Sequence, residues 1–108
     1  MVGNRKAESA PHSIMKHLIA SILERQGHKV ELEADFGDYI ADVYDWKTKL
    51  AYEVQTNKQK DIEEEKIRKG LLHGEIFDII IIRTNEYHLQ GIAASIAMTK
   101  LKYKILGE

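Results

Sequence analysis

The chain contains no cysteine, so no disulfide framework, zinc-thiolate cluster or thiol nucleophile can be built from it. It has no long apolar run either. The longest, Ile79 to Ile82, is far below membrane-spanning length, and the charged and polar stretch Met1 to Ser9 does not read as a signal peptide. These absences predict an intracellular, cytoplasmic protein without a membrane partner. Excess charge of one sign is missing too. A formal net charge of -1 excludes a nucleic-acid binder that works by overall positive charge and leaves only a local basic patch. Repeats and low-complexity segments are absent as well.

What is present suits an ordinary globular chain. With 108 residues, 44% hydrophobic and 31% charged, it can build one core and is too short for two. A single domain over 1–108 is expected, with residues 1–8 flexible because they carry no periodic pattern.

Ser9 is a suitable helix N-cap, and Pro11 is tolerated in a first turn. Ile14, Met15, Leu18, Ile19, Ile22 and Leu23 then form an apolar stripe at helical spacing, ended by Gly27. Val30 and Leu32 alternate with Glu31 and Glu33 as a strand, and Asp35-Phe36-Gly37-Asp38 turns the chain into a second one. That strand is Ile40 to Val43. A polar break from Tyr44 to Lys49 leads to a third strand, running from Leu50 to about Thr56. A second helix opens in Asn57 to Asp61, with Ile62, Ile67, Leu71 and Leu72 as apolar positions and Gly70 and Gly74 weakening its end. The β-branched run Phe77 to Ile82 predicts a central strand buried on both faces. A last helix from about Glu86 holds Leu89, Ile92, Ala93, Ile96, Ala97 and Leu101. The fold class is therefore α/β, an antiparallel meander followed by a helical crossover into a fourth strand of a mixed sheet.

The second and third strands carry acids among apolar residues. Asp42 lies on one, and Glu53 and Gln55 leave the next on a common face because side chains alternate along a strand. Carboxylates within apolar strands are costly to bury unless paired or bound to a metal. Mg2+ or Mn2+ suits such a site, since each takes oxygen ligands and commonly only one or two carboxylates. Asp42, Glu53 and the backbone carbonyl of Val54 are the candidate ligands. Gln55 can orient water or phosphate but cannot act as a base at neutral pH.

Asp42 followed by Glu53-Val54-Gln55 resembles the signature of the PD-(D/E)xK nuclease superfamily, an acid on one strand and an acid-x-Lys triplet on the next. Gln55 stands in place of the usual Lys, and no proline precedes Asp42. The resemblance is more specific to competence-protein CoiA-like nuclease domains, where Gln ends the triplet and a His and a Lys lie four apart in the first helix, as His12 and Lys16 do. Small Holliday-junction-resolvase-like nucleases are similar, but they keep the Lys and usually carry an acid on the first helix. The resemblance implies a restriction-endonuclease-like αβββαβ core with an additional C-terminal helix. It also implies metal-dependent hydrolysis of phosphodiester bonds in DNA, with Asp42, Glu53, Gln55, His12 and Lys16 as the catalytic set. No small-molecule cofactor is expected. The alternative is a catalytically inactive nucleic-acid-binding module of the same fold.

Other residues admit two readings each. His12 in a first helical turn and Lys16 on a helix flank are equally a solvated and a snorkelling residue. Lys58, Lys66 and Lys69 can line a phosphate track or belong to a solvated helix, and Lys66 or Lys69 can supply the charge that Gln55 lacks. Trp46 can stack on an unpaired base or cover a core edge. His17, His28, His73 and His88 lack metal-ligand spacing and read as surface residues. A domain this small offers little surface for gripping a duplex, so a homodimer or a larger assembly is expected, with the Ala-rich last helix as a candidate interface.

Overall fold

The computed structural model describes residues 10–55, 60–87, 91 and 94–107. The apolar stripe of the first helix becomes α1 (Ala10–Arg25), which buries Met15, Ile19, Ile22 and Leu23. Ile14 instead remains half exposed. Three strands follow, β1 (Val30–Asp35), β2 (Ile40–Asp45) and β3 (Leu50–Gln55), then α2 (Lys60–Leu71), β4 (Asp78–Arg83), a 3-10 turn at Thr84–Glu86 and α3 (Ala94–Leu106). The protein is α/β, with a four-stranded mixed sheet and three helices among the described residues.

Strand order is β1-β2-β3-β4, antiparallel through the first three, with β4 parallel to β3. A parallel return needs a crossover, which α2 provides. The expected central position of the Ile79 to Ile82 run is corrected: β4 lies at the end of the strand order. A continuous β-branched run reports two covered faces rather than two strand neighbours. Ile80 and Ile82 pack into a cluster with α1 and α3, whereas Ile79 and Ile81 pack into a second cluster with Tyr39 and Ile67. Phe77 lies before the strand and is 77% exposed.

The polar break also begins later than expected. Tyr44 and Asp45 belong to β2 and are fully buried, and the turn is Trp46–Lys49. Asp45 makes that turn possible. Its Oδ1 accepts the Lys47 and Thr48 N–H groups at 2.9 and 3.4 Å, and its Oδ2 lies 2.6 Å from His28 Nδ1. Each acceptor is satisfied locally, so burial of this carboxylate is compensated. His28 is thereby corrected from a surface residue to a turn support. His73 likewise pairs with Asp38 at 2.6 Å, which holds Asp38 below its ordinary carboxylate value. His17 is exposed, and His88 lies outside the described residues.

Leu71 and Leu72, expected on the apolar side of α2, are exposed, as is Ile96 of α3, while Ala97, Leu101 and Ile105 are buried. Leu89, Ile92, Ala93 and residues 1–9 fall outside the described residues.

Gly70 has a role beyond weakening its helix. A Cβ there would stand 2.5 Å from Ile79 Cδ1 and 3.1 Å from the Tyr39 ring. Ile79 can swing its terminal methyl away, but Tyr39 is held by a hydrogen bond to Glu53 and a stacked contact with Phe36. Although Ala favours a helix over Gly by about 1 kcal/mol, Gly70→Ala should therefore lower stability, by roughly 1–3 kcal/mol from overpacking. Thermal unfolding followed by circular dichroism checks the sign.

Candidate functional site

The turn chemistry of the two hairpins sets the site. Gly37 and Asp38 form the two-residue loop of the β1–β2 hairpin, with Gly37 at φ 101° and Phe36 N–H bonded to the Tyr39 carbonyl at 2.8 Å. Positive φ is what such loops require of a residue, and Gly accepts it at no steric cost. The resulting register pairs Leu32 with Val43 and Ala34 with Ala41, so Glu33 stands abreast of Asp42. In the second hairpin the backbone ladder begins at Asp45 and Leu50 and ends at Val43 and Tyr52. One step further, Asp42 is abreast of Glu53. Here the Asp42 side chain takes over the ladder's work: its Oδ2 accepts the Val54 N–H at 2.8 Å.

A face switch accompanies this row. Leu32 and Val43 pack with α1, yet Ala34 and Ala41, two residues along each strand, pack in the cluster on the other face. The reversal occurs at Glu33 and Asp42, and Glu33 adopts φ 50°. Left-handed backbone is uncommon for a residue with a Cβ and marks a site of local strain.

Glu53 is fully buried. Tyr39 Oη donates to Glu53 Oε2, and the Lys66 ammonium of α2 lies against Oε1 as an ion pair. Among the described residues no directed hydrogen bond reaches Oε1, so that contact is ionic. Burial, then the Asp42 charge, push the Glu53 carboxyl up to about 7, while Lys66 and Tyr39 oppose them. The Asp42 effect places the two acids within electrostatic reach. Burial, then the charge of Glu53, also raise Tyr39 far above the ordinary phenol range, so it remains a donor.

Asp42 is approached from the other layer. His12 Nε2 lies 3.5 Å from its Oδ2, and one helical turn later Lys16 Nζ lies 2.7 Å from Glu33 Oε2. Lys16 is 3% exposed and paired there, rather than lying on an open helix flank. Gln55 sits at the half-exposed end of β3. Beside Lys66, an open cleft of about 440 Å³ is lined by Asp38, Tyr39, Ile40 and Lys69. Lys69 pairs with Glu65 at 3.5 Å.

Trp46 is not at this end of the sheet. It sits in the β2–β3 turn, packs edge-to-face on Tyr44 at 4.9 Å and donates to Glu31 at 3.2 Å. Lys58 lies outside the described residues. The sequence pattern did not single out Tyr39 or Glu33. A two-residue loop at Gly37-Asp38 would have paired position 33 with 42, but no local signal marks Tyr39 as the donor to Glu53.

Comparison with protein-family models, curated proteins and solved structures yields no match. Among the described residues, no group of three or more His, Asp and Glu side chains could hold a metal ion, and no helix is long and apolar enough to cross a membrane.

The buried Glu53 makes stability depend on pH. Its folded-state value of about 7 lies above its ordinary 4.5, so folding favours the protonated form. That contribution is complete below about pH 4.5 and is lost as pH rises through about 7, a total of about 3 kcal/mol. The unfolding free energy of the metal-free wild type should fall relative to that of Glu53→Gln between pH 5 and 8. Parallel urea-unfolding series on the two proteins would measure the difference.

Proposed function

We propose that this chain is a small metal-dependent nuclease of PD-(D/E)xK type that hydrolyses phosphodiester bonds in DNA. One observation carries the reading. Asp42 and Glu53 stand abreast where β2 and β3 part, close enough to act on each other, and the fully buried Glu53 already has a cation, the Lys66 ammonium, beside it. The chemistry of the donor set suits Mg2+ or Mn2+: Asp42 and Glu53 would be the ligands, with the Val54 carbonyl as the third candidate, and these ions commonly use no more than two carboxylates. Bound there, the ion would polarise the phosphoryl group and lower the pKa of a water ligand.

The chain's own residues supply the rest. Asp42 and Glu53 would hold the ion, and Tyr39 fixes the orientation of the Glu53 carboxylate. Lys66, one-third exposed and reaching from α2, provides the positive charge that Gln55 does not. Gln55 would orient a water or a phosphate oxygen, with its amide as donor or acceptor. His12 would contact the phosphate from the α1 side. The αβββαβ order agrees with the restriction-endonuclease-like core that the motif implies. The chain's size favours action as a homodimer.

A second reading has its own support. Both Glu53 oxygens already have partners in Tyr39 and Lys66, as expected of a silent module that binds nucleic acid without cutting it.

Cleavage of plasmid and oligonucleotide DNA with manganese separates the two. The nuclease reading expects metal-dependent cleavage that falls at least about 100-fold in Asp42→Ala, the upper end of what a supporting group costs a metal site. DNA binding without manganese-dependent cleavage by the wild type would assign the protein to the silent module.

A further inference from the structure

The pair formed by Lys16 and Glu33 is not explained by packing. Lys16 projects from an otherwise apolar face of α1 and is almost completely buried, with its ammonium 2.7 Å from Glu33. Burying that charge opposes folding unless its partner is well placed, and an apolar pair of similar volume commonly serves stability as well or better. Glu33 adds a second cost, because it holds left-handed backbone in mid-strand, at φ 50°. Two unfavourable features therefore meet at one contact. Residues held in such backbone gather at functional sites, where neighbouring structure over-determines them.

The place of that contact supplies the reason. Glu33 stands abreast of Asp42 in the β1–β2 register, and Lys16 is one helical turn after His12, whose ring is 3.5 Å from Asp42. Residues four apart lie on one face of a helix, so the anchor at Lys16 sets the height and rotation of α1 over the sheet. We propose that Glu33 is a positioning residue, which through Lys16 fixes α1 so that His12 stands on Asp42. The left-handed turn at Glu33 is then the device that aims its carboxylate at the helix, at the row where both strands change face. This rests on the nuclease reading, for which Asp42 is a metal ligand.

The test is the double variant Lys16→Met with Glu33→Gly, which removes both charges, fills the helix position with an apolar chain and gives the left-handed backbone the residue that suits it. Its melting temperature in chelator is expected to equal or exceed that of the wild type. Its manganese affinity by calorimetry and its kcat on DNA should nevertheless fall 10- to 100-fold, the usual range for loss of a supporting group, with KM unchanged. If the double variant does not fold, Glu33→Gln serves instead, since it retains the length and a hydrogen bond to Lys16 but loses the charge; the same direction is expected. Wild-type manganese affinity and kcat in whichever variant folds would reduce the pair to a structural contact and overturn the inference alone. A wild type that neither binds manganese nor cleaves DNA would overturn the nuclease reading and this inference with it.

Discussion

A carboxylate sealed between a sheet and a crossover helix is the constraint that organises this protein. Glu53 is fully buried, and the groups that act on it come from separate places in the fold: Tyr39 from the loop that leads into β2, Lys66 from α2, and the charge of Asp42 from β2 itself. The close passage of Gly70 over Tyr39 brings α2 near enough for Lys66 to arrive. An ionised group in such a place must be compensated or give up its charge. Here burial and the Asp42 charge raise its pKa, Lys66 and Tyr39 oppose them, and the result is about 7.

The two layers of the fold meet the acidic row from opposite sides. On one, α1 presents His12 to Asp42 and Lys16 to Glu33; on the other, α2 presents Lys66 to Glu53. The row lies where the β2–β3 ladder ends, and the Asp42 side chain bonds the Val54 amide in place of a backbone acceptor. Where two strands part, side chains can converge across the gap that backbone bonds would otherwise hold closed.

The other buried acid shows the contrast. Asp45 accepts two backbone N–H groups from its own turn and pairs with His28, so its needs are met by local geometry and its role is to close a hairpin. Among the described residues, no backbone N–H bonds to the Glu53 carboxylate. Its partners are the side chains of Tyr39 and Lys66. That difference separates a carboxylate held by the backbone of its own turn from one held by side chains of other elements.

Periodicity was sufficient for the elements, because a helix stripe and a strand alternation are local consequences of 3.6- and 2-residue repeats. Thus α1, the meander and the β-branched strand were legible, as was the placement of Asp42 and Glu53 on adjacent strands. The edge position of β4 was not, since a run of isoleucines records covered faces and is silent about neighbours. Nor were Phe77, Leu72 and Ile96 recognisable as exposed, because an apolar residue carries no mark of whether anything packs on it. Only the tertiary structure decided that Lys16 would be buried against Glu33, that Tyr39 would donate to Glu53 and that Lys66 rather than Lys69 would reach it. These pairings join residues 13 to 17 positions apart, and the last selects one lysine of several by the rotation of a helix. Such choices depend on how close the layers approach, a property of the packed whole that no local stretch of chain contains.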